Sequence, residues 1–291
     1  MAETENPLAQ SSTLDIAPLE ARVEGSRSQR ERHAQLRNIL YPFGVVSALL
    51  VAWEAGARFF AVPVFLLPPP SAIALSFIEN WSLLLFHGWI TTAEILLGFA
   101  LSILVGIPLA LAIFLWPTFS RSILPLLVST QAMPKVAVAP LFLVWFGFGL
   151  LPKVLIAFLI AFFPVVINTA VGLASIEPEK IYLARSMGFG ASATFFKIRL
   201  PNALPAIFGG LKISITLAVV GAVVGEFVGG DAGLGYLLMV ANGSMDTQLL
   251  FAGIIALTVL GVALFLLIEL AERLAIPRHI IAGDKGIRDA V

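Results

Sequence analysis

The chain has 291 residues and no cysteine, and its 18 basic residues balance 18 acidic ones to a formal net charge of zero. Apolar residues fill 59% of it, charged residues only 12%, and the mean hydropathy is +0.97, against roughly 45–50% and about 25% in soluble domains. Those figures exclude a soluble globular domain, a disulfide framework and thiolate or cysteine-ligated metal chemistry, and they leave a polytopic membrane protein.

A polar tail over residues 1–38 comes first and carries Arg22, Arg27, Arg30, Arg32 and Arg37. The first apolar run lies too far in for the core of a secretory signal. Crossing a bilayer as a helix takes about 20 mostly apolar residues. Six stretches qualify, at about 39–60, 90–116, 123–146, 154–173, 207–228 and 250–270. Between the first two, Pro68–Pro70 break the chain and Ser71 is placed to cap a short amphipathic surface helix. The third is interrupted by Pro125, Pro134 and Pro140. The connection 174–206 is polar and basic, whereas 229–248 is glycine-rich and carries Asp231 and Asp246 without Lys or Arg. A tail over 275–291 follows the transmembrane domain, 39–274. The expected class is an all-α membrane protein.

Lys and Arg set the orientation. Five fall in the N-terminal tail, five between Lys180 and Lys212, and four in Arg273, Arg278, Lys285 and Arg288. With an even number of spans these segments share one side, which the positive-inside rule makes cytoplasmic. Arg121 is expected in the short second-to-third connection on that side. Lys153 is the exception, outside at the start of the fourth span.

Tyr182–Pro205, YLARSMGFGASATFFKIRLPNALP, stands apart from its apolar flanks. Ile181, Ala184 and Met187 recur at helical spacing beside Lys180 and Arg185. Gly188 and Gly190 supply a turn where a side chain would obstruct positive φ or close backbone approach. Ser192 is placed to cap a second helix carrying Phe195 and Phe196, and Pro201 to stop it or start the next. Two short helices around a glycine turn make a knob suited to a soluble partner. Without further pattern, the same stretch is an ordinary loop whose Lys and Arg reach the membrane surface.

A further pattern is present. The stretch resembles the cytoplasmic coupling loop of ABC-importer permeases, the "EAA" loop: EAA, three residues, Gly, nine residues, Ile, one residue, Leu-Pro. Ala184, Gly188, Ile198, Leu200 and Pro201 fall at that spacing, while Tyr182 and Leu183 stand where Glu and Ala are usual. From about Leu66 to Pro277 the chain is also similar to the nitrate, taurine, alkanesulfonate and bicarbonate branch of those permeases. The likeness is carried by LLPPPSAI (66–73), MPKVAVAPLFLVWFGFG (133–149), FFPVVINT (162–169), LPNALPAIFGGLKI (200–213) and GEFVGGDAGLGYLL (225–238).

The resemblance implies six transmembrane helices in the type I ABC importer permease fold, with a shared core over 66–274 and the coupling loop at 174–206. It implies a homodimer in the bacterial inner membrane, both termini cytoplasmic. ABC ATPase subunits, which bind ATP and Mg, would dock on the coupling loops. A periplasmic or lipid-anchored binding protein would deliver a small anion such as nitrate, a sulfonate, taurine or bicarbonate. An aromatic carboxylate or a vitamin-precursor pyrimidine is the alternative cargo. The residues it assigns to ATPase coupling are Ala184, Arg185, Met187, Gly188, Phe189, Gly190, Ala191, Phe195, Phe196, Ile198 and Pro201. The chain needs no cofactor of its own on this reading, and nucleic acid is not a partner.

Charges inside spans cost about 2.5–3.5 kcal/mol each on insertion scales, so each calls for a reason. Glu54 with Arg58, and Glu269 with Arg273, are spaced to pair along one helix. Glu94 is read as helping the second span begin at the outer surface. Lys135 follows Pro134, and Gln131 and Lys135 are placed either to satisfy the carbonyl that the proline frees or to contact a passing anion. Met133, Asn168 and Glu226 complete the substrate-pathway candidates, with a structural or gating role favoured for Glu226. Gly221 and Gly225 form a G-x-x-x-G that serves either a dimer contact or packing within one subunit. His33, His87 and His279 are scattered, so no metal site is expected.

No phosphate loop is present, since GGLKIS at 209–214 and AGDKGI at 282–287 both fail its spacing. ATP hydrolysis therefore has to come from another chain. A secondary transporter or channel is the different-class alternative, but neither a cluster of intramembrane carboxylates nor an internal repeat is evident. A membrane enzyme would need a catalytic cluster near the surface, and none is seen; no catalytic residue is assigned.

Overall fold

The computed structural model describes Tyr41 and residues 43–276. It divides after Val62 into two compact units. The first holds one helix, α1 (43–59), which is the described part of the expected span 39–60. The tails at 1–38 and beyond 276 lie outside the described residues.

Among its described residues the second unit consists of helices and short connections, with no strand. It comprises α2 (Pro70–Glu79), α3 (Trp81–Leu115), α4 (Pro117–Gln131), α5 (Lys135–Phe146), α6 (Leu150–Ala174), α7 (Pro178–Ser186), α8 (Ala191–Thr194), α9 (Leu200–Gly229), α10 (Leu234–Gly243) and α11 (Thr247–Ala275). Among the described residues, four helices are long and apolar enough to cross a membrane: α3, α6, α8 joined to α9, and α11. Helices α4 and α5 make a fifth if that pair, bent by 95°, is one span. The expected six are thus five at most here, with the first expected span only partly described.

Several boundaries move for physical reasons. Pro70, not Ser71, opens α2: its fixed φ suits the first turn, its missing N–H is not needed there, and Ser71 lies inside the helix. Helix α3 begins at Trp81 rather than Ile90, and its 35 residues make it roughly 50 Å long. Glu94 is therefore well inside a helix and starts nothing. Arg121 belongs to α4 rather than to a connection. Of the three prolines expected to interrupt the third span, only Pro134 does so, in extended conformation between α4 and α5. The glycine-rich connection after α9 contains α10.

The core is a sandwich of α3, α6 and α9. A Cβ at Gly98 of α3 would lie 2.6 Å from Ala157 Cβ, and one at Gly221 of α9 would lie 2.5 Å from Ala157 Cα. Gly225 meets Lys153, and Gly210 meets Asn168, in the same way. The G-x-x-x-G therefore packs α9 on α6 within one chain. Around this centre, Leu264 of α11 joins Ile95, Phe99, Ile215 and Ala218. Phe119 and Ile123 of α4 pack on Ala110, Ile113 and Val166, and Ala139 of α5 on Ile156 and Ile160.

Gly221→Ala should lower the melting temperature of the detergent-purified protein, because overpacking against backbone costs about 1–3 kcal/mol. Gly209, whose Cβ would meet nothing within 4 Å, should tolerate alanine or gain up to about 1 kcal/mol in helix propensity. Equal melting temperatures for the two variants would contradict the α6–α9 contact.

Candidate functional site

Two chemically distinct regions lie at opposite ends of the sandwich. At one end, α7 follows Glu177 in extended conformation, with Pro178 at its first position, Glu179 in its first turn and Arg185 in its last. That charge order suits the helix dipole. Phe189 N–H donates to Ala184 O at 3.0 Å, and Gly188 N–H to Arg185 O at 2.9 Å, with Gly188 at φ +82°. This pair of bonds is a Schellman ending, which needs a left-handed residue at that position. No atom lies within 4 Å of a Cβ built at Gly188, so the need for glycine comes from backbone sign and not from space. Gly190 has φ −70° and equally open surroundings. Neither reason expected for it applies within this chain.

The second helix also differs from expectation. It begins at Ala191 with Gly190 in the cap position and no side-chain cap, so Ser192 does not cap it. It then runs through a π-helical turn, Phe195–Arg199, straight into α9. Pro201 neither stops a helix nor starts a separate one. A widened turn just before it relieves the clash between its ring and the preceding turn, where its missing N–H also leaves a carbonyl free.

Ala184 is buried, half-buried Ile181 and Ile198 face inward in part, and Tyr182, Leu183, Met187 and Phe196 are each more than 60% exposed. A groove of about 460 Å³ runs between Arg185, Phe189, Ala191, Phe195 and Phe196 on the knob and Phe114 at the end of α3. Arg199 braces it: its guanidinium lies 5.0 Å from the Phe114 ring and donates to Leu173 O at 3.3 Å. Lys197 lies 5.7 Å from the Phe189 ring. All the expected coupling residues except Pro201, which lies in α9, thus gather on one partly basic and aromatic knob, with Ala184 buried at its base.

At the far end, α3, α6 and α9 meet in a buried polar cluster. Lys153 Nζ is 3.0 Å from Glu94 Oε1 and 3.3 Å from Asp231 Oδ1, and it donates to Ala232 O at 3.3 Å. The Lys153 and Glu94 side chains are only 3% and 1% exposed, whereas Asp231 is 85% exposed. Its own backbone amide and the Lys153 ammonium hold the Asp231 carboxyl below its usual range. Glu226 accepts from the Thr91 hydroxyl at 2.6 Å and from the Gly235 amide. Thr91 Oγ1 accepts from Leu234 N–H at 2.8 Å, and His87 Nδ1 from Gly233 N–H at 3.0 Å.

Of this cluster, sequence reasoning places only Glu226 among the site candidates, with a structural or gating role. It set Lys153 outside as a topology exception and gave Glu94 a helix-starting role. The only signal was the presence of both charges in apolar context; their partners lie on other helices, beyond the reach of any spacing rule.

The five pathway candidates do not converge. Lys135 donates to Gln131 Oε1 at 2.5 Å, clasping the α4–α5 bend, and Met133 is exposed inside that bend. Asn168 donates to Pro164 O at 2.9 Å and packs under Gly210. Glu226 is 1% exposed and belongs to the cluster, not to an open surface.

Comparison with known proteins places this geometry. Residues 98–278 match the family model described as "Binding-protein-dependent transport system inner membrane component". The formylaminopyrimidine transport permease ThiX of Halalkalibacterium halodurans is 38% identical, over 79% of this chain and 92% of its own length. The riboflavin transport system permease RibX of Chloroflexus aurantiacus is 40% identical, over 78% and 86%. The putative aliphatic sulfonates transport permease SsuC of Bacillus subtilis is 34% identical, over 84% and 88%. Among solved structures, a chain of the inward-facing MetNI methionine ABC transporter superposes with a TM-score of 0.52, at 20% identity, over 67% of this chain and 94% of that one. That likeness concerns the fold alone.

Proposed function

The chain belongs to the family of binding-protein-dependent transport system inner membrane components, and from that premise we propose that it is the membrane-spanning subunit of an ATP-driven importer. The knob at 178–199 is the surface that receives a separate ATPase, which binds ATP and Mg. A binding protein delivers solute at the opposite end, beside α10. The observation that carries this reading is the exposed knob joined without a break to α9. A docking feature fused to a membrane-length helix passes displacement into the span.

The cargo is a small solute, and two classes compete. Permeases at 38% and 40% identity carry a formylaminopyrimidine and riboflavin in their names, which favours an aromatic heterocycle. A small anion, such as a sulfonate, is the second reading. It is favoured by Lys135, whose bonded neighbour Gln131 is uncharged, whereas Lys153 and Lys212 both sit against carboxylates. Competition for uptake separates the two: a heterocycle should compete and Lys135→Met should leave its uptake unchanged. Competition by sulfonates alone, abolished in Lys135→Met, would reverse the choice.

Orientation follows from the same model. Single cysteines replacing Ser192 should be shielded from a membrane-impermeant thiol reagent in intact cells, and one replacing exposed Asn242 should react. Labelling of Ser192→Cys from outside would invert the topology.

Coupling is tested at Gly188. Any L-residue at φ +82° pays about 1–2 kcal/mol of backbone strain, while the spans are held by their own packing and by the cost of exposing backbone to lipid. Gly188→Leu should reach the membrane in normal amount and lose uptake, with ATP hydrolysis no longer responding to loaded binding protein. Gly188→Asn, which tolerates the left-handed region, should keep more activity. Wild-type transport by Gly188→Leu would remove the knob from its coupling role.

A further inference from the structure

The polar cluster at the far end does something that neither packing nor the coupling knob requires: it captures three consecutive backbone amides. Gly233, Leu234 and Gly235 donate to His87 Nδ1, Thr91 Oγ1 and Glu226 Oε2. These are the amides at the start of α10, which a helix leaves without internal partners. The acceptors are not local. His87 and Thr91 come from α3, and Glu226 comes from α9. The backbone sits directly on the carboxylate, since a Cβ at Gly233 would lie 2.1 Å from Glu226 Oε1 and one at Gly235 would lie 2.6 Å from Oε2.

Lys153 ties the third helix into the same unit. It bonds Glu94 of α3 and, on the segment leading into α10, Asp231 and the carbonyl of Ala232. The Glu94 carboxyl also lies within hydrogen-bond reach of the Glu226 carboxyl, so two buried acids meet beside the single Lys153 cation. The cluster therefore has one buried cation among more acceptors than it can serve, an arrangement that changes sharply when any member is removed.

Position gives the cluster its consequence. Helices α6 and α9 are the two that flank the knob. Lys153 and Glu226 stand at the ends of those helices away from it, roughly 30 Å distant along α6 from its knob-side end at Ala174. We propose that Lys153, Glu94, Thr91 and Glu226 are positioning residues that latch α10 to α3, α6 and α9. Displacement of the knob then moves α10 with the spans that carry it. This rests on the importer reading, in which α10 lies where solute enters, but the latch itself can be read without transport.

The test uses the complete transporter in nanodiscs, where both faces are accessible, with a cysteine in place of Ala241, a buried residue of α10. In the otherwise cysteine-free chain that residue should react slowly with a maleimide. Thr91→Val, which keeps shape but removes the hydroxyl, should speed labelling at least about five-fold, as loss of bonds to a charged group and a backbone amide predicts. Lys153→Met should do the same, and Thr91→Ser should restore the slow rate. In the same preparations, stimulation of ATP hydrolysis by loaded binding protein should fall in the two fast-labelling variants. Unchanged labelling in both Thr91→Val and Lys153→Met would overturn the latch, whether or not uptake is measurable. Faster labelling with wild-type stimulation and uptake would overturn its part in transport and leave the importer reading standing. Loss of assembly in Thr91→Ser as well as Thr91→Val would reduce these residues to folding determinants and overturn the proposal.

Discussion

Ala157 meets a glycine on either side, and the arrangement of this protein depends on that contact. Gly98 of α3 and Gly221 of α9 both approach it so closely that a methyl group at either position would collide with it. In lipid there is no hydrophobic gain from helix association, so spans are held by close packing between small residues and by polar bonds. The same pattern recurs along α6, where Val165 meets Gly106, Asn168 meets Gly210 and Lys153 meets Gly225. Helix α6 is thereby the shared wall of the sandwich. Helices α4, α5 and α11 add larger side chains to its outer faces.

Close packing leaves the centre of the sandwich no room for charge, and the described residues reflect this. Their buried charged groups collect at its two ends, apart from half-buried Lys212 of α9, which pairs with Glu272 of α11. Lys153, Glu94 and Glu226 sit at one, bonded to each other's helices and to the start of α10. Arg199 sits at the other, bonded to Leu173 O and laid over Phe114. Between them lie buried residues such as Ala161, Ile215 and Ala218. A removed partner at the first end leaves an uncompensated buried charge, which is far costlier than the pair is stabilising.

Much of this was legible in the sequence, and the exceptions share a cause. Composition and run length identified the membrane class and most spans. The spacing of Ala184, Gly188, Ile198 and Leu200-Pro201 located the knob and its family before any geometry. Gly188 was understood correctly because a helix ending is a local matter. Ser192 and Pro201 were misplaced because the helix flows through a π turn, which local propensity does not encode. The break at Pro134 was visible, but Pro125, Pro134 and Pro140 read alike, and only packing selects which of them bends the chain. The cluster around Lys153 was missed because its members stand far apart in sequence, Thr91 and Glu226 being separated by 135 residues. An amphipathic or motif rule has no access to such a pairing; only the meeting of α3 with α9 creates it.

The π turn also bears on how the knob is joined to its flanking spans. Had Pro201 ended the helix after the knob, a hinge would lie between knob and span. The continuous run Ala191–Gly229 removes that hinge on the α9 side. On the α6 side the chain keeps a short break at residues 175–177 before α7, but Arg199 bridges it by bonding Leu173 O at the end of α6. The knob is thus fastened to both flanking spans, through the backbone on one side and through a cationic side chain on the other. Helices α6 and α9 approach each other closely at Gly172, Gly210, Gly221 and Gly225, from the knob end up to Lys153 and Glu226.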